Sequence, residues 1–434
     1  MHLIIANGRV VDPSNDLDDS LDIRVEGNSI VEIGRRIDRG QVQVLDASGL
    51  VVAPGFIDIH VHLREPGKEE AETMESGARA AACGGFTAIA CMPNTTPVND
   101  HSEITEFILQ KAKSLPVKVY PICAITIGQQ GTELVNFSKL KEAGCVAVSD
   151  DGKPVFDSLL MRRTLEQCKP LNMAVIDHCE DPYLFRGGAM NEGPESEKHG
   201  IPGIPDEAEE IMVARNVLLS KLTRAPVHLA HLSTAGSMAI VRRAKAEGIP
   251  VTAEVTPHHF TLTDEAVARF GTNAKMNPPL RSSKDLEAVL AAIADGTIDA
   301  IACDHAPHHI RTKSVAFHEA AFGIIGLETS VSLGLDRLFH TNIVGLNRLI
   351  ELYSLNPARI LGIFRGIQVG ADADLTLIDP AKQIRVDATK FSSKSRNTPF
   401  DGWSLRGSPA ATIVQGKIVW QQRAVTRATR PPSS

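Results

Sequence analysis

The 434-residue chain is short of aromatic side chains, with two Trp, three Tyr and 4% aromatics in all. It also lacks an excess of either charge, since 45 Lys and Arg stand against 52 Asp and Glu for a net charge of −7. Nucleic-acid surfaces normally join a basic face to stacking aromatics, so that class is excluded. Both signs of charge are scattered along the chain, which argues against an acidic tail or a basic membrane-surface segment. No apolar run approaches the roughly 18 residues a spanning helix needs. The N-terminal MHLIIANGRVVDPSND has an apolar stretch only from Leu3 to Ala6 and no basic region before it, so no signal peptide is expected. Cys83, Cys91, Cys123, Cys145, Cys168, Cys179 and Cys303 make an odd number with no C-x-x-C pair. Reduced thiols in a soluble, cytoplasmic chain are the expectation.

What remains is ample for a core: 43% of residues are hydrophobic, and the length suits two or three domains or one large α/β barrel with an added module. Residues 2–52 read as short strands (LIIANGRVVD, LDIRVEGNSIVEIG, VQVLDASG) with Asn-Gly or Gly-Asn turns. ADLTLIDP, IRVDATKF and TIVQGKIVWQ repeat that texture near the C-terminus. One small discontinuous β-sandwich domain from 1–52 and 368–434 is predicted, with the final RATRPPSS frayed. The middle, 53–367, holds eight apolar runs at 55–62, 86–94, 117–126, 145–151, 173–180, 227–233, 251–259 and 298–308. Nearly continuous apolar strands belong to a parallel sheet covered on both faces, and eight strand–helix repeats predict a (β/α)8 TIM-type barrel. Asp206-x-x-Glu209 before the stripe Ile211, Ala214, Leu218 and Leu222 reads as a capped helix, as does Ser282-x-x-Asp285.

Almost every barrel run ends in reactive side chains, and strand C-termini form the active face of such barrels. His60 and His62 end the first, Asn94 the second, Asp150-Asp151 the fourth and His178 the fifth. His231 ends the sixth, His258-His259 the seventh, and Asp304, His305 and His308 the eighth. His60 and His62, two apart on a strand, project to one face, with Arg64 able to continue it. An isolated pair of this kind is a weak signal. Joined by His178, His231 and Asp304 it becomes a metal site, and four His with two Asp suit two bridged cations better than one tetrahedral ion.

GFIDIHVHLREPG, CMPNTTP, SDDGKPV, DHCED, HLAHLSTAGS, EVTPHHFTLTD, KMNPPLRS and DAIACDHAPH, in this order, closely resemble the class I dihydroorotases of the amidohydrolase superfamily. The resemblance runs essentially full length and includes NPARILGI, GADADLTLID and KSRNTPFDGW. It implies His60 and His62 as ligands of one metal and His178 and His231 as ligands of the other. Asp304 would bind the first metal and act as general base and acid. Asp151 is the expected bridge, where hydantoinases carry a carboxylated lysine; the nearest lysine, Lys153, is displaced by two residues. Pattern alone leaves Asp150 open as the bridge. The implied cofactors are two divalent ions per chain, Zn²⁺ first.

For the substrate, Arg64 offers a fork of donors to a carboxylate, with a salt bridge to Glu65 as its ordinary alternative. The resemblance carries His62, Asn94, Asn277 and His308 over as substrate contacts, and Phe322 and Gly323 as backbone contacts. His258, His259 and His305 read as supporting residues, and Cys91 and Cys303 as incidental. One stretch departs from the family: HIRTKSVAFHEAAFG has Arg311-Thr312 in place of acids and Ala321 in place of proline. The implied reaction is reversible cyclisation of N-carbamoyl-L-aspartate to (S)-dihydroorotate and water, in de novo pyrimidine (UMP) synthesis, by attack of a hydroxide held between two metals. A homodimer acting on a small-molecule substrate is expected. Two rival readings stand beside it: another cyclic-amide hydrolase of hydantoinase or allantoinase type, and a non-catalytic scaffold for aspartate transcarbamoylase. Asp151 with Arg64 and Asn94 speaks against the first, and the complete ligand set against the second.

Overall fold

A computed structural model describes residues 2–422; the tail expected to fray, 427–434, lies outside the described residues. From the N-terminus come β1 (His2–Asp12), β2 (Leu17–Glu26), β3 (Ser29–Gly34), β4 (Gln43–Asp46) and β5 (Val51–Pro54). The barrel strands are β6 (Phe56–Val61), β7 (Phe86–Cys91), β8 (Lys118–Cys123), β9 (Ala147–Val148) and β10 (Ala174–Asp177), then β13 (Val227–Leu229), β14 (Val251–Val255) and β15 (Ala300–Ile301). A short pair, β11 (Met190–Asn191) and β12 (Gly203–Ile204), lies outside the barrel wall. β16 (Leu375–Arg385), β17 (Ser404–Val414) and β18 (Lys417–Gln421) complete the chain.

Each of the eight apolar runs contributes one barrel strand, and neighbours pair in parallel in chain order from β6 to β15. A parallel bridge between Val61 and His305, with the His62 N–H donating to the His305 carbonyl at 2.9 Å, brings the last strand back to the first. The terminal strands form one mixed sheet, ordered β18-β17-β16-β5-β1-β2-β3, with β4 also on β1. Its two ends close over a shared core in which Leu3, Ile23, Val25 and Leu45 meet Leu375, Leu377 and Ile413. The IRVDATKF segment is not a separate strand: β16 runs on through Arg385, and a 3₁₀ turn follows at Ala388–Lys390.

The helix Glu207–Thr223 corrects the reading of its faces. Met212, Val213, Asn216 and Val217 are buried, while Ile211, Leu218 and Leu222 are 49%, 65% and 60% exposed. Asp206 makes no side-chain cap, and Glu209 is buried because its carboxylate accepts the Ser233 and Thr234 N–H groups at 3.0 and 3.1 Å. Glu209 thereby serves the start of the next helix, Ala235–Ala246, and that demand turns the inner face away from the Ile211 stripe. Ser282 does sit at the N-cap of Ser283–Ala294, its hydroxyl donating to Asp285. Among the described residues, no helix is long and apolar enough to cross a membrane.

Candidate active site

The C-terminal ends of the barrel strands bring His60, His62, Asp151, His178, His231 and Asp304 into one buried cluster. Asp151 lies at its centre. His60 Nε2 is 3.3 Å from Asp151 Oδ1, and His62 Nε2 is 3.3 Å from Oδ2. His178 Nδ1 and His231 Nε2 are each 3.5 Å from Oδ1 and 2.8 Å from one another. The donors form two triads that share Asp151: His60, His62, Asp151 and Asp151, His178, His231. Asp304 Oδ1 sits 3.0 Å from His62 Nε2 and 3.6 Å from His60 Nε2, on the side of the first triad. Asp150 turns away: it accepts the Ile125 and Thr126 N–H groups at 2.8 and 3.2 Å and the Thr126 hydroxyl. Lys153 is exposed. Arg64, His231 and Asp304 all hold positive φ (61°, 34° and 44°), a strained backbone that recurs where strand ends aim functional side chains.

Electrostatics and donor chemistry both suit cations. Burial opposes every charge here, yet His60, His178 and His231 together hold Asp151 well below the usual carboxylate range, and His62 and His60 do the same for Asp304. Burial likewise opposes the charge on His178, but Asp151 and Glu180 lift it to about 10. The carboxylates demand positive charge beside them, which divalent ions held by neutral imidazoles would supply. His60 Nε2 is buried with no hydrogen-bond partner among the described residues and faces Asp151 and Asp304 at 3.3 and 3.6 Å, the place where a cation would be held. Imidazole and carboxylate donors in this mixture fit Zn²⁺ or a neighbouring divalent ion.

Around this cluster stand the expected substrate residues. Arg64 is 9% exposed and has no carboxylate in ion-pair range among the described residues; its Nε donates to the Pro307 carbonyl at 3.1 Å. Glu65, the alternative partner, instead pairs with Lys111 and accepts the Met74 N–H at 2.8 Å. Asn94 Oδ1 accepts from His62 Nδ1 at 2.9 Å, which leaves its amide N–H groups for other contacts. Asn277 Nδ2 donates to Glu180 at 3.2 Å, and its buried Oδ1 has no hydrogen-bond partner among the described residues. His308 donates from Nε2 to the Phe322 carbonyl at 2.7 Å; burial and the Arg64 charge push its pKa down to about 3. At Gly323 the N–H donates to the Lys275 carbonyl and the carbonyl accepts from Lys313 and Asn397, each at 3.0 Å. Its φ of 126°, with an added Cβ 2.5 Å from the Ala306 Cβ, makes the position one that only glycine fits.

The supporting residues were only partly visible beforehand. His259 donates to the Pro278 carbonyl at 3.1 Å and so steadies the Asn277 turn, while His305 meets the buried Glu72 at 3.3 Å. Cys91 and Cys303 are buried, and burial pushes the Cys91 thiol up to about 12, so both are inert. Sequence reasoning missed Glu254, His228, Glu180 and Asn397. Glu254 and His228 carried a signal, a polar residue inside an otherwise apolar parallel strand. The divergent stretch 309–321 folds against the site through two buried lysines. Lys313 Nζ donates to the Ala321 and Gly323 carbonyls at 2.8 and 3.0 Å, and Lys275 Nζ to Phe317 and His318 at 2.7 and 3.1 Å.

Comparison with known proteins is consistent along the chain. A family model described as Dihydro-orotase-like matches residues 49–237. The dihydroorotase of Citrifermentans bemidjiense is 54% identical over 424 residues, covering 97% of this chain and 100% of that protein. The dihydroorotase of Geobacter sp. (strain M21) is 53% identical with the same coverage. Among solved structures, the L-hydantoinase (dihydropyrimidinase) from Arthrobacter aurescens superposes with a TM-score of 0.86 at 26% identity, over 97% of this chain and 96% of its own.

Proposed function

The chain belongs to the dihydroorotase family, and from that membership we propose that its buried histidine–aspartate cluster interconverts (S)-dihydroorotate and N-carbamoyl-L-aspartate. The protein is a metal-dependent cyclic amidohydrolase of pyrimidine biosynthesis. The observation that carries the reading is the two His–His–Asp triads sharing Asp151, beside a buried Arg64 that has no carboxylate in ion-pair range among the described residues. His60, His62, Asp151 and Asp304 would hold one divalent ion, and Asp151, His178 and His231 a second, with Zn²⁺ favoured by the donors. When bound, such ions supply Lewis acidity toward the amide carbonyl and acidify the attacking water.

The protein's own groups do the rest. Arg64 receives the ring's exocyclic carboxylate, with His308 and the amide of Asn94 alongside. Asn277 Oδ1, unpartnered and buried, accepts the ring N–H. Phe322 closes the pocket edge, where its ring packs 5.6 Å from Phe185. Asp304, already ionised, takes the proton from water at its carboxylate and returns it to the leaving ring nitrogen. In the reverse direction it performs the two transfers in opposite order. A hydantoinase reading places a neutral ring here and leaves Arg64 without an anion. The enzyme works in the cytoplasm, in keeping with its seven free cysteines, and pairs as a homodimer through the exposed Ile211, Leu218 and Leu222 face. An aspartate transcarbamoylase is the rival occupant of that face. Metal analysis of the purified protein, with turnover of dihydroorotate against hydantoin and allantoin, tests the assignment. Two equivalents of metal and preference for dihydroorotate support it; preference for a neutral ring refutes it.

A further inference from the structure

Interiors of barrels like this one are normally packed with branched apolar side chains. Much of this interior is: Ile57, Ile59, Ile122 and Ile176 pack with small alanines. The walls at β13 and β14 differ. Val227 and Leu229, and Val251, Ala253 and Val255, pack into the cluster under the helices, so strand alternation turns His228, Thr252 and Glu254 inward. These three make a hydrogen-bonded chain. Thr252 Oγ1 is 2.8 Å from His228 Nδ1, His228 Nε2 is 3.1 Å from Glu254 Oε2, and Glu254 Oε1 is 2.9 Å from His60 Nδ1.

An ionised carboxylate only accepts, so both imidazoles must donate to Glu254. With Nδ1 of His60 turned to Glu254, Nε2 is the ring atom that faces Asp151, and it would be the one to hold a cation. A buried ionic chain is seldom the most stable filling for a core. Its presence here meets a directional need that apolar side chains cannot. At the opposite end of the barrel from Arg64 and Asn277, His228 and Thr252 line a cavity of about 550 Å³ with Val175, Val227 and Ile360.

We infer that His228 is a positioning residue for the metal-holding His60, acting through Glu254 to fix the tautomer and aim of the imidazole. The inference rests on the assignment of His60 as a ligand. It requires metal affinity to depend on a residue with no contact to the metal or the substrate.

The test is titration of metal-free protein with Co²⁺, following visible ligand-field absorption, for wild type, His228→Ala, His228→Gln and Glu254→Gln. Wild type should bind two equivalents. His228→Ala should bind one of them about 10–100-fold more weakly, with an altered spectrum, as loss of an orienting partner does elsewhere. His228→Gln keeps an N–H for Glu254 and should recover affinity to within about threefold. Reloaded His228→Ala should lose kcat with little change in KM, because the substrate face is untouched. Should His228→Ala fail to fold, Glu254→Gln, of the same shape, carries the test and should also bind weakly. Wild-type affinity and spectrum in a folded His228→Ala, or in Glu254→Gln, would overturn the inference. Absence of Co²⁺ binding by wild type would instead sink the metal assignment on which it rests.

Discussion

Arg64→Ala is the substitution that most directly separates reading the substrate from building the site. The guanidinium is buried, its Nε is spent on the Pro307 carbonyl, and no carboxylate within ion-pair range balances it among the described residues. His308 stands 3.5 Å from Nη2 and is held neutral, so it supplies no charge either. A planar carboxylate meeting the free edge would accept two charge-assisted hydrogen bonds of about 1.5–3 kcal/mol each, not fully additive. A net loss of about 3 kcal/mol on truncation corresponds to roughly 150-fold in kcat/KM for dihydroorotate. Folding stability should hold, because relief of a buried, unpaired charge offsets the lost bond to Pro307, worth about 1 kcal/mol. The assay is kcat/KM for dihydroorotate beside dihydrouracil, the same ring without the carboxylate, with metal content measured on each preparation. Dihydroorotate turnover should collapse while any dihydrouracil turnover changes less than about threefold, and Arg64→Lys should recover only part of the loss, since a point charge cannot reproduce the fork. Equal losses on both substrates would refute the reasoning and make Arg64 a shaper of the metal cluster.

Asp151→Ala should lose or loosen both metals with little change in urea midpoint. Asp150→Ala should keep both metals but lose about 2–3 kcal/mol of stability, because the Ile125 and Thr126 N–H groups lose their acceptor; metal analysis and denaturation distinguish the two. Burial pushes Lys313 down to about 7 and Lys275 to about 8, so above pH 7 the unfolded chain binds more protons at these sites than the folded one. Wild-type stability relative to Lys313→Met should therefore rise with pH from about 7 toward 10.5, by at most about 1.4 kcal/mol per unit; a flat difference would show that Lys313 is not titrating. On the proposed homodimer, Leu218→Asp should shift sedimentation from dimer toward monomer at unchanged helicity, because it places a charge on the exposed apolar face, and a wild type that sediments as a monomer would refute that proposal.

The barrel was legible because its signals are local. Parallel strands covered on both faces must be apolar along their length, and catalytic side chains must appear where those strands stop. That logic places His60, His62, His178, His231 and Asp304 at strand ends from the sequence alone. The helix at 207–223 shows where local pattern fails. Ile211, Leu218 and Leu222 formed a convincing stripe, yet the opposite face is buried, because Glu209 must reach the Ser233 and Thr234 N–H groups. A long-range acceptor outweighed an apolar stripe.

By itself, then, the chain's order of residues determined the strand count, the chemistry available at each strand end and the family, since these depend on composition and short spacing. Pattern by itself left Asp150 beside Asp151, and the tertiary structure turns only Asp151 into the histidine cluster, because adjacent residues differ by which way the backbone turns after β9 and Thr126 captures the first. Only it joined Thr252, His228 and Glu254 to His60, which stands 194 positions from Glu254 in the chain, because contact across a barrel is set by closure of the sheet and leaves no periodic trace in sequence.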